Sequence, residues 1–213
     1  MNLRVQKRRL SVNRLIIVGA GGHGKVLLDI ATKMGYSDIS FLDDVERGDI
    51  LGHKILGRVS EIEKFNIPNT EFIVGIGDNS IRSNIQKKYN LNWATLIHPS
   101  AQIGCGVFVG QGTVVMAGAV INPFATICRG CIINTCSSVD HNCYIEDFVH
   151  ISPGAHLAGN VTVKQKTWIG AGAIISNNIT VTNDCLIGAG AVVVKDIMES
   201  GTYIGLPAKR IEK

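Results

Sequence analysis

A glycine-rich segment near the start of the chain has the spacing of a phosphate-binding turn. Residues 19–24 satisfy the pattern G-x-G-x-x-G between a predicted strand and a predicted helix. Glycines at these positions let the backbone approach a pyrophosphate, which then sits at the positive end of the helix. The acidic pair Asp43 and Asp44 follows at the separation where a ribose or a base would be met. The spacing predicts a nucleotide site.

The nucleotide that fits this segment best is a mononucleotide diphosphate. A dinucleotide needs a second βαβ half for its other nucleoside, and the sequence shows no pattern for one. The segment also satisfies G-x-x-x-x-G-K, but Val26 stands where a magnesium–nucleotide site requires Ser or Thr.

The second half of the chain contains histidines and cysteines that could take part in catalysis. An imidazole titrates near neutral pH and is the commonest general base, and His141 is one of the candidates. Cys143 and Cys131 have packing positions in the repeat described next, and the single C-x-x-C spacing from Cys128 is weak support for a metal site. We interpret all six cysteines as free thiols.

A repeat of six residues must position these side chains. From Ile97 to Val193, seventeen positions that lie six residues apart are all Ile, Val or Leu. A six-residue unit is one short strand plus one corner, and three units form a triangular coil that stacks on the next at ~4.8 Å. The pattern therefore predicts a left-handed parallel β-helix, in which His141 lies at a corner and projects outward.

The first half has the alternating pattern of a small α/β domain. Predicted strands and helices alternate in the order 15–18, 25–34, 39–42, 61–65, 72–76 and 80–89. This is half of a doubly wound Rossmann fold, with a βαβαβ-like order. We divide the chain into a basic N-terminal extension (1–12), the α/β domain (13–95), the β-helix (96–198) and a C-terminal tail (199–213).

Charge and hydropathy limit the expected partners and compartment. The net charge of +4 is too mild to predict a nucleic-acid partner. The first apolar run, 15–18, is too short for a secretory signal or a membrane span. We therefore expect a cytoplasmic protein without a membrane partner.

Several motifs in both halves carry a resemblance to a known family. The chain is similar, along nearly its whole length, to the left-handed β-helix sugar acetyltransferases of the sialic-acid and bacillosamine pathways, and among them to the UDP-4-amino-sugar N-acetyltransferases. The segments that carry the resemblance are 19–24, 34–36, 41–44, 76–79, 133–141, 158–160 and 205–210.

The resemblance implies an activity. It implies an N-acetyltransferase that uses acetyl-CoA to acetylate the 4-amino group of a nucleotide-linked, in the first place UDP-linked, 4-amino-4,6-dideoxy sugar. Members of the family are homotrimers that bind acetyl-CoA in the cleft between neighbouring prisms, and no metal is implied. We expect direct transfer without a covalent acyl-enzyme.

The resemblance also implies roles for individual residues. The catalytic base falls on His141. The residues that would hold the nucleotide sugar are Gly21, Gly22, His23, Asp43, Asp44 and Gly77. The residues that would contact acetyl-CoA are His150, Gly159, Ala171 and Ala189.

The residue after His141 departs from the family pattern. The family usually has an acidic residue there that orients and polarises the imidazole, whereas this chain has Asn142. Either Asn142 holds the ring, or Asp140 takes over.

Three other functions stay open from the sequence alone. One is O-acetylation of a sialic-acid-type sugar, and another is a catalytically silent scaffold that binds a sugar nucleotide. A zinc carbonic anhydrase would need three converging histidines, and the spacing of His141, His150 and His156 does not favour convergence.

Overall fold

A computed structural model describes residues 14–212 of the chain. The predicted basic extension, 1–12, lies outside the described residues. The expected fold class is confirmed: a small parallel sheet with helices is followed by a left-handed type of hexapeptide β-helix, which we call the prism. Within 14–212, no helix has the length and apolar character needed to cross a bilayer.

The front half is built around a three-stranded parallel sheet. Its elements are β1 (Arg14–Val18), α1 (Gly22–Lys33), β2 (Asp38–Leu42), β3 (Asp49–Ile50), β4 (His53–Lys54), a 3₁₀ helix (Val59–Phe65), β5 (Thr70–Val74) and α2 (Asn79–Lys88). The strand order is β2–β1–β5, so that β1 is central, and β3 and β4 form a separate short hairpin.

Helix α1 begins at Gly22, three residues earlier than predicted, and therefore inside the glycine-rich segment. The early start is possible because Gly24 packs directly on the turn that precedes the helix: a Cβ there would collide with the carbonyl oxygen of Gly19. The third strand, β5, ends at Val74 instead of Ile76, which leaves residues 75–78 as a loop above the sheet.

The prism consists of seventeen two-residue strands. They are β6 (Leu96–Ile97), β7 (Gln102–Ile103), β8 (Phe108–Val109), β9 (Val114–Val115), β10 (Val120–Ile121), β11 (Thr126–Ile127), β12 (Ile132–Ile133), β13 (Ser138–Val139), β14 (Tyr144–Ile145), β15 (His150–Ile151), β16 (His156–Leu157), β17 (Thr162–Val163), β18 (Trp168–Ile169), β19 (Ile174–Ile175), β20 (Thr180–Val181), β21 (Leu186–Ile187) and β22 (Val192–Val193). The strands β23 (Thr202–Ile204) and β24 (Lys209–Ile211) follow as an antiparallel pair.

These strands form the three faces of the prism. Face 1 contains every third strand from β6 to β21 and continues into β23 and β24, face 2 runs from β7 to β22, and face 3 runs from β8 to β20. We number each corner after the face that precedes it, so that corner 2 is opposite face 1. The predicted period is confirmed, because each of the seventeen aliphatic positions is the second residue of a strand, and those from Val115 onward are at most 2% exposed.

Fifteen of the sixteen corners between β6 and β22 turn through a residue in the left-handed backbone region. Fifteen residues spaced by six, from Gly106 to Gly190, have φ between 53° and 72°. Only seven of them are glycine; the others include Asn142 and, less expectedly, Phe124 and Lys166. The turn directs the chain from one face of the prism to the next, so the residue just before it is presented outward.

The front half docks on face 1 and on corner 3. Apolar residues of α1 share one core with the outward side chains of face 1, among them Leu96, Val114 and Ile132. Helix α2 lies along corner 3, where buried Asn79 and Gln86 donate hydrogen bonds to backbone carbonyls of the prism.

The prism core predicts a contrast between two adjacent isoleucines. Ile175 points inward and is fully buried, whereas Ile174 points outward and is 44% exposed. Ile175→Ala should lower the free energy of unfolding by about 2–5 kcal/mol, because it leaves a cavity in a close-packed core. Ile174→Ala is the matched control and should cost much less. Chemical unfolding at one fixed protein concentration measures both, and equal losses would contradict the inward assignment.

Candidate functional site

The six residues expected to hold the nucleotide sugar surround one cavity. It has a volume of about 400 Å³ and opens at the carboxyl ends of the parallel strands, beside the N-terminus of α1. The expected residues in its lining are Gly21, Gly22, His23, Asp43, Asp44 and Gly77. This is where open α/β sheets bind ligands, and we call the cavity the nucleotide pocket.

The two aspartates at the pocket have different partners. Asp43 accepts hydrogen bonds from Ala20 N at 2.7 Å and from the backbone of Val45 and Glu46 at 2.8 Å. Burial acts to raise the pKa of the Asp43 carboxyl, but these backbone donors outweigh it and leave the pKa below its ordinary value. Asp44 accepts from Val59 N with one carboxylate oxygen. Asp43 therefore shapes the pocket, and Asp44 has the freer carboxylate.

His23 adds a buried imidazole to the pocket. Its Nε2 is buried and has no hydrogen-bond partner among residues 14–212. Burial, helped by the positive charge of Arg82, lowers the pKa of His23 to about 4. The ring is therefore neutral at pH 7.

His150 is a buried side chain of face 1. It is 7% exposed and stacks on Trp168 from the next coil, with ring centroids 5.3 Å apart and an interplanar angle of 9°. Burial is the main reason that its pKa falls to about 3, and the charges of Arg82 and His23 add to the effect. The coil repeat places Trp168 beside His150, but the sequence did not predict the burial of the ring, which also depends on where the front half docks, with Arg82 and His23 nearby.

The hydrogen bonds of Asn134 set the tautomer of His150. Asn134 Oδ1 accepts from Thr135 N at 2.8 Å, so its amide nitrogen faces His150 Nε2 at 3.1 Å. Since the amide nitrogen can only donate, Nε2 accepts, and the ring proton is on Nδ1. That Nδ1 is buried without a partner among the described residues. His150 thus presents one free, neutral N–H donor.

His141 lies exposed on corner 2, as predicted. Its Nδ1 is 3.0 Å from Asn142 Oδ1, an acceptor that requires the proton on Nδ1 and leaves a lone pair on Nε2. Asp140 does not take over, because its Oδ1 accepts from the His141 backbone at 2.7 Å and from Asn122 Nδ2 at 2.8 Å. Of the two candidates, Asn142 therefore holds the ring.

Gly159 makes room for this imidazole. A Cβ on Gly159 would lie 2.6 Å from Cε1 and Nε2 of His141. The equivalent position of corner 1 is alanine at Ala171 and Ala189, so the corner backbone itself tolerates a side chain. The restriction at Gly159 comes from the histidine.

The expected site residues fall into two groups on opposite sides of the prism. The nucleotide pocket and His150 are on the side of face 1, and exposed Ala171 and Ala189 are on the adjoining corner 1. His141 and Gly159 are on corner 2, which faces away from face 1. One chain does not bring the four expected acetyl-CoA contacts together.

Arg82 is a buried residue beside the site that sequence reasoning missed. It is 1% exposed, and burial is the largest effect that lowers its pKa, to about 10. Asn79, Arg82 and Gln86 form a polar face on α2, but the same spacing is typical of a solvated helix face. The sequence offers no signal that separates the two.

The thiols and histidines show no arrangement for metal binding in the described part of the chain. Residues 14–212 contain no group of three His, Cys, Asp or Glu side chains that could hold a metal ion. All six cysteines are free, and burial raises the pKa of Cys131 to about 12 and of Cys143 to about 11. The thiols of Cys131 and Cys143 pack inside the prism.

Comparison with known proteins identifies relatives for both halves. The family model for the PglD N-terminal domain matches residues 14–89. The acetyltransferase domain of PglB from Neisseria gonorrhoeae FA1090, also solved with acetyl coenzyme A, is 40% identical, with a TM-score of 0.91 over 93% of this chain and 100% of that one. PerB from Caulobacter crescentus, solved with CoA and GDP-perosamine, is 33% identical, with a TM-score of 0.90 over 95% of this chain and 99% of that one.

A curated relative agrees with these structures over a shorter region. UDP-N-acetylbacillosamine N-acetyltransferase of Bacillus subtilis (strain 168) is 35% identical over 114 residues, which cover 50% of this chain and 52% of that protein. This chain thus spans about half the length of that relative. Because it spans the whole PglB acetyltransferase domain at 40% identity, the chain belongs to the family of left-handed β-helix sugar acetyltransferases that begin with a PglD N-terminal domain.

Proposed function

We propose that this protein is an acetyl-CoA-dependent N-acetyltransferase that acts on the 4-amino group of a nucleotide-linked 4-amino-4,6-dideoxy sugar. The observation that carries the proposal is the pairing of one pocket, lined by all six expected nucleotide-sugar residues, with an outward imidazole that has Nδ1 anchored and Nε2 free. The relatives named above, one assigned to UDP-N-acetylbacillosamine and one solved with GDP-perosamine, support the same substrate class.

His141 is the proposed general base. The amine nitrogen of the sugar attacks the thioester carbon while Nε2 of His141 removes a proton from it. The tetrahedral oxyanion then collapses, the carbon–sulfur bond breaks, and CoA leaves as a thiol after taking the proton. General-base catalysis of this kind typically contributes about 10²–10⁴-fold. No step requires a covalent acyl-enzyme.

His150 is the proposed donor to the oxyanion or to the acetyl carbonyl. Its Nδ1–H is buried and free, and the neutral ring brings no charge that would need solvation. Because its pKa is about 3, this role should stay constant across the neutral pH range.

The proposed active site is shared between two chains of a homotrimer. The nucleotide pocket and His150 of one chain face away from its own His141, so His141 of a neighbouring prism would complete the site. Gly159 on corner 2 would face Ala171 and Ala189 on corner 1 of the neighbour, with acetyl-CoA in the cleft between them. Acetyl-CoA and nucleotide sugars are cytoplasmic metabolites, which places the proposed reaction in the cytoplasm.

The direct test is CoA release with a panel of UDP-, GDP- and dTDP-linked 4-amino sugars. We expect turnover with at least one, UDP first, and no release without an amino sugar. His141→Ala should lower kcat by about 10²–10⁴-fold with little change in KM. His156→Ala is the control, because His156 is also exposed but bonds Ser138 on face 2. Full activity of His141→Ala would show that His141 is not the general base. Turnover only with hydroxyl acceptors would show that the enzyme is an O-acetyltransferase and not an N-acetyltransferase.

Asn142 predicts a pH effect. Asn142→Asp would place a carboxylate beside His141 Nδ1 and favour the imidazolium, so the acidic limb of the kcat/KM profile should move upward by about one pH unit. Asn178→Asp adds the same charge at the equivalent corner position two coils away and should leave the limb in place. An unmoved limb in Asn142→Asp would show that Asn142 does not orient the base.

A shared site predicts complementation between two inactive variants. Gly21→Trp would fill the nucleotide pocket, and His141→Ala removes the base. When the two chains are coexpressed in equal amounts and associate at random, one site in each mixed trimer, and so about a quarter of the sites in all trimers, should have both parts intact. A site within one chain would recover no activity in such mixtures. Native mass spectrometry confirms that mixed trimers have formed.

A further inference from the structure

The guanidinium of Arg82 joins helix α2 to two coils of the prism. Its Nε donates to Gly130 O at 2.7 Å, and one Nη donates to Phe148 O at 3.1 Å. Both acceptors are backbone carbonyls on corner 3, in successive coils. Phe148 is two residues before His150, so the second contact reaches the coil that presents the free N–H donor.

The same guanidinium contacts the rim of the nucleotide pocket. The other Nη donates to Gly77 O at 3.0 Å and to Ile76 O at 3.2 Å, and both residues line the pocket. A fifth bond, at 2.7 Å, goes to Asn79 Oδ1. A guanidinium has five N–H donors in a rigid plane, and all five are used here. The pocket rim is therefore held to the prism through one planar group.

The neighbouring polar residues on α2, Asn79 and Gln86, donate hydrogen bonds to the prism but none to the pocket rim. Gln86 donates to Gly112 O at 3.3 Å, and Asn79 donates to Lys166 O at 2.9 Å. These are contacts between α2 and corner 3, whereas those of Arg82 extend to the rim. Arg82 also has an electrostatic role at the junction, because its charge contributes to keeping both His23 and His150 neutral.

We propose that Arg82 is a positioning residue for the transfer reaction: it sets the separation between the sugar nucleotide in its pocket and the coil that carries His150. The proposal rests on the proposed function. Reacting groups must be held within a fraction of an ångström, and a displacement of ~1 Å remote from the chemistry can cost about 10²-fold in rate. A lysine, with three donors on a flexible stem, cannot reproduce the planar connection.

The test compares Arg82→Lys with Gln86→Met. Arg82→Lys keeps the charge and should lower kcat by up to about 10²-fold. The KM for acetyl-CoA should remain unchanged, and the Kd for free UDP or GDP, from titration calorimetry, should change much less than kcat, because every lining residue is retained. Gln86→Met is the matched control: it removes a buried polar contact between the same helix and the same corner, and its kcat should stay close to that of the original chain.

Two kinetic results would overturn the proposal. One is an equal loss of kcat in both variants at equal loss of thermal stability, which would make Arg82 a general anchor of α2. The other is a loss confined to nucleotide Kd, which would make it part of the binding surface.

A second measurement does not depend on turnover. Hydrogen exchange of the rim, residues 75–78, should be faster in Arg82→Lys and unchanged in Gln86→Met. If the original chain transfers no acetyl group, the proposed function fails. Hydrogen exchange of residues 75–78 would still show whether Arg82 holds the pocket rim. An unchanged rim in Arg82→Lys would overturn the positioning role in either case.

Discussion

The narrow interior of the prism is the constraint on which the rest of the structure depends. A triangular coil admits one aliphatic side chain per face, with small residues at the other inward positions, and each of these residues stacks on its counterpart eighteen residues later. The position of a residue within the hexad therefore decides whether its side chain points into the prism or out of it. The left-handed residue at each corner completes the unit, and the residue before it is presented at an edge of the prism.

This constraint leaves only the edges and outer faces of the prism for the groups of the proposed active site. His141 is on corner 2, whereas the nucleotide pocket and His150 are on the opposite side, over face 1. A rigid prism cannot bring these two sides together by bending. A second prism alongside the first is the simplest way to complete the proposed site, and this gives a physical reason for the proposed assembly of more than one chain.

The joint between the two halves is polar where it meets corner 3 and apolar where it meets face 1. The apolar part, from α1, buries hydrophobic surface against the prism. The polar part, from α2, fixes the position of the helix along the corner, because the hydrogen bonds from Asn79, Arg82 and Gln86 depend on where their acceptors lie. Burial is the main reason that the pKa values of His23 and His150 are low, and the cation buried at this joint adds to the effect. The same joint therefore serves both the geometry and the electrostatics of the site.

The sequence by itself determined the features that depend on spacing along the chain. The six-residue period specified the prism and the outward corner position of His141, and the glycine segment with its acidic pair identified the nucleotide pocket, because strands and turns are local and their period is directly visible. Tertiary structure decided what depends on distant residues. Stacking of Trp168 buried His150, Asn142 instead of Asp140 became the partner of His141, and docking of α2 buried Arg82. The eighteen-residue coil repeat indicates which residues stack, but the contacts between the two halves are not periodic, so spacing along the chain contains no record of which side chains the docked front half covers.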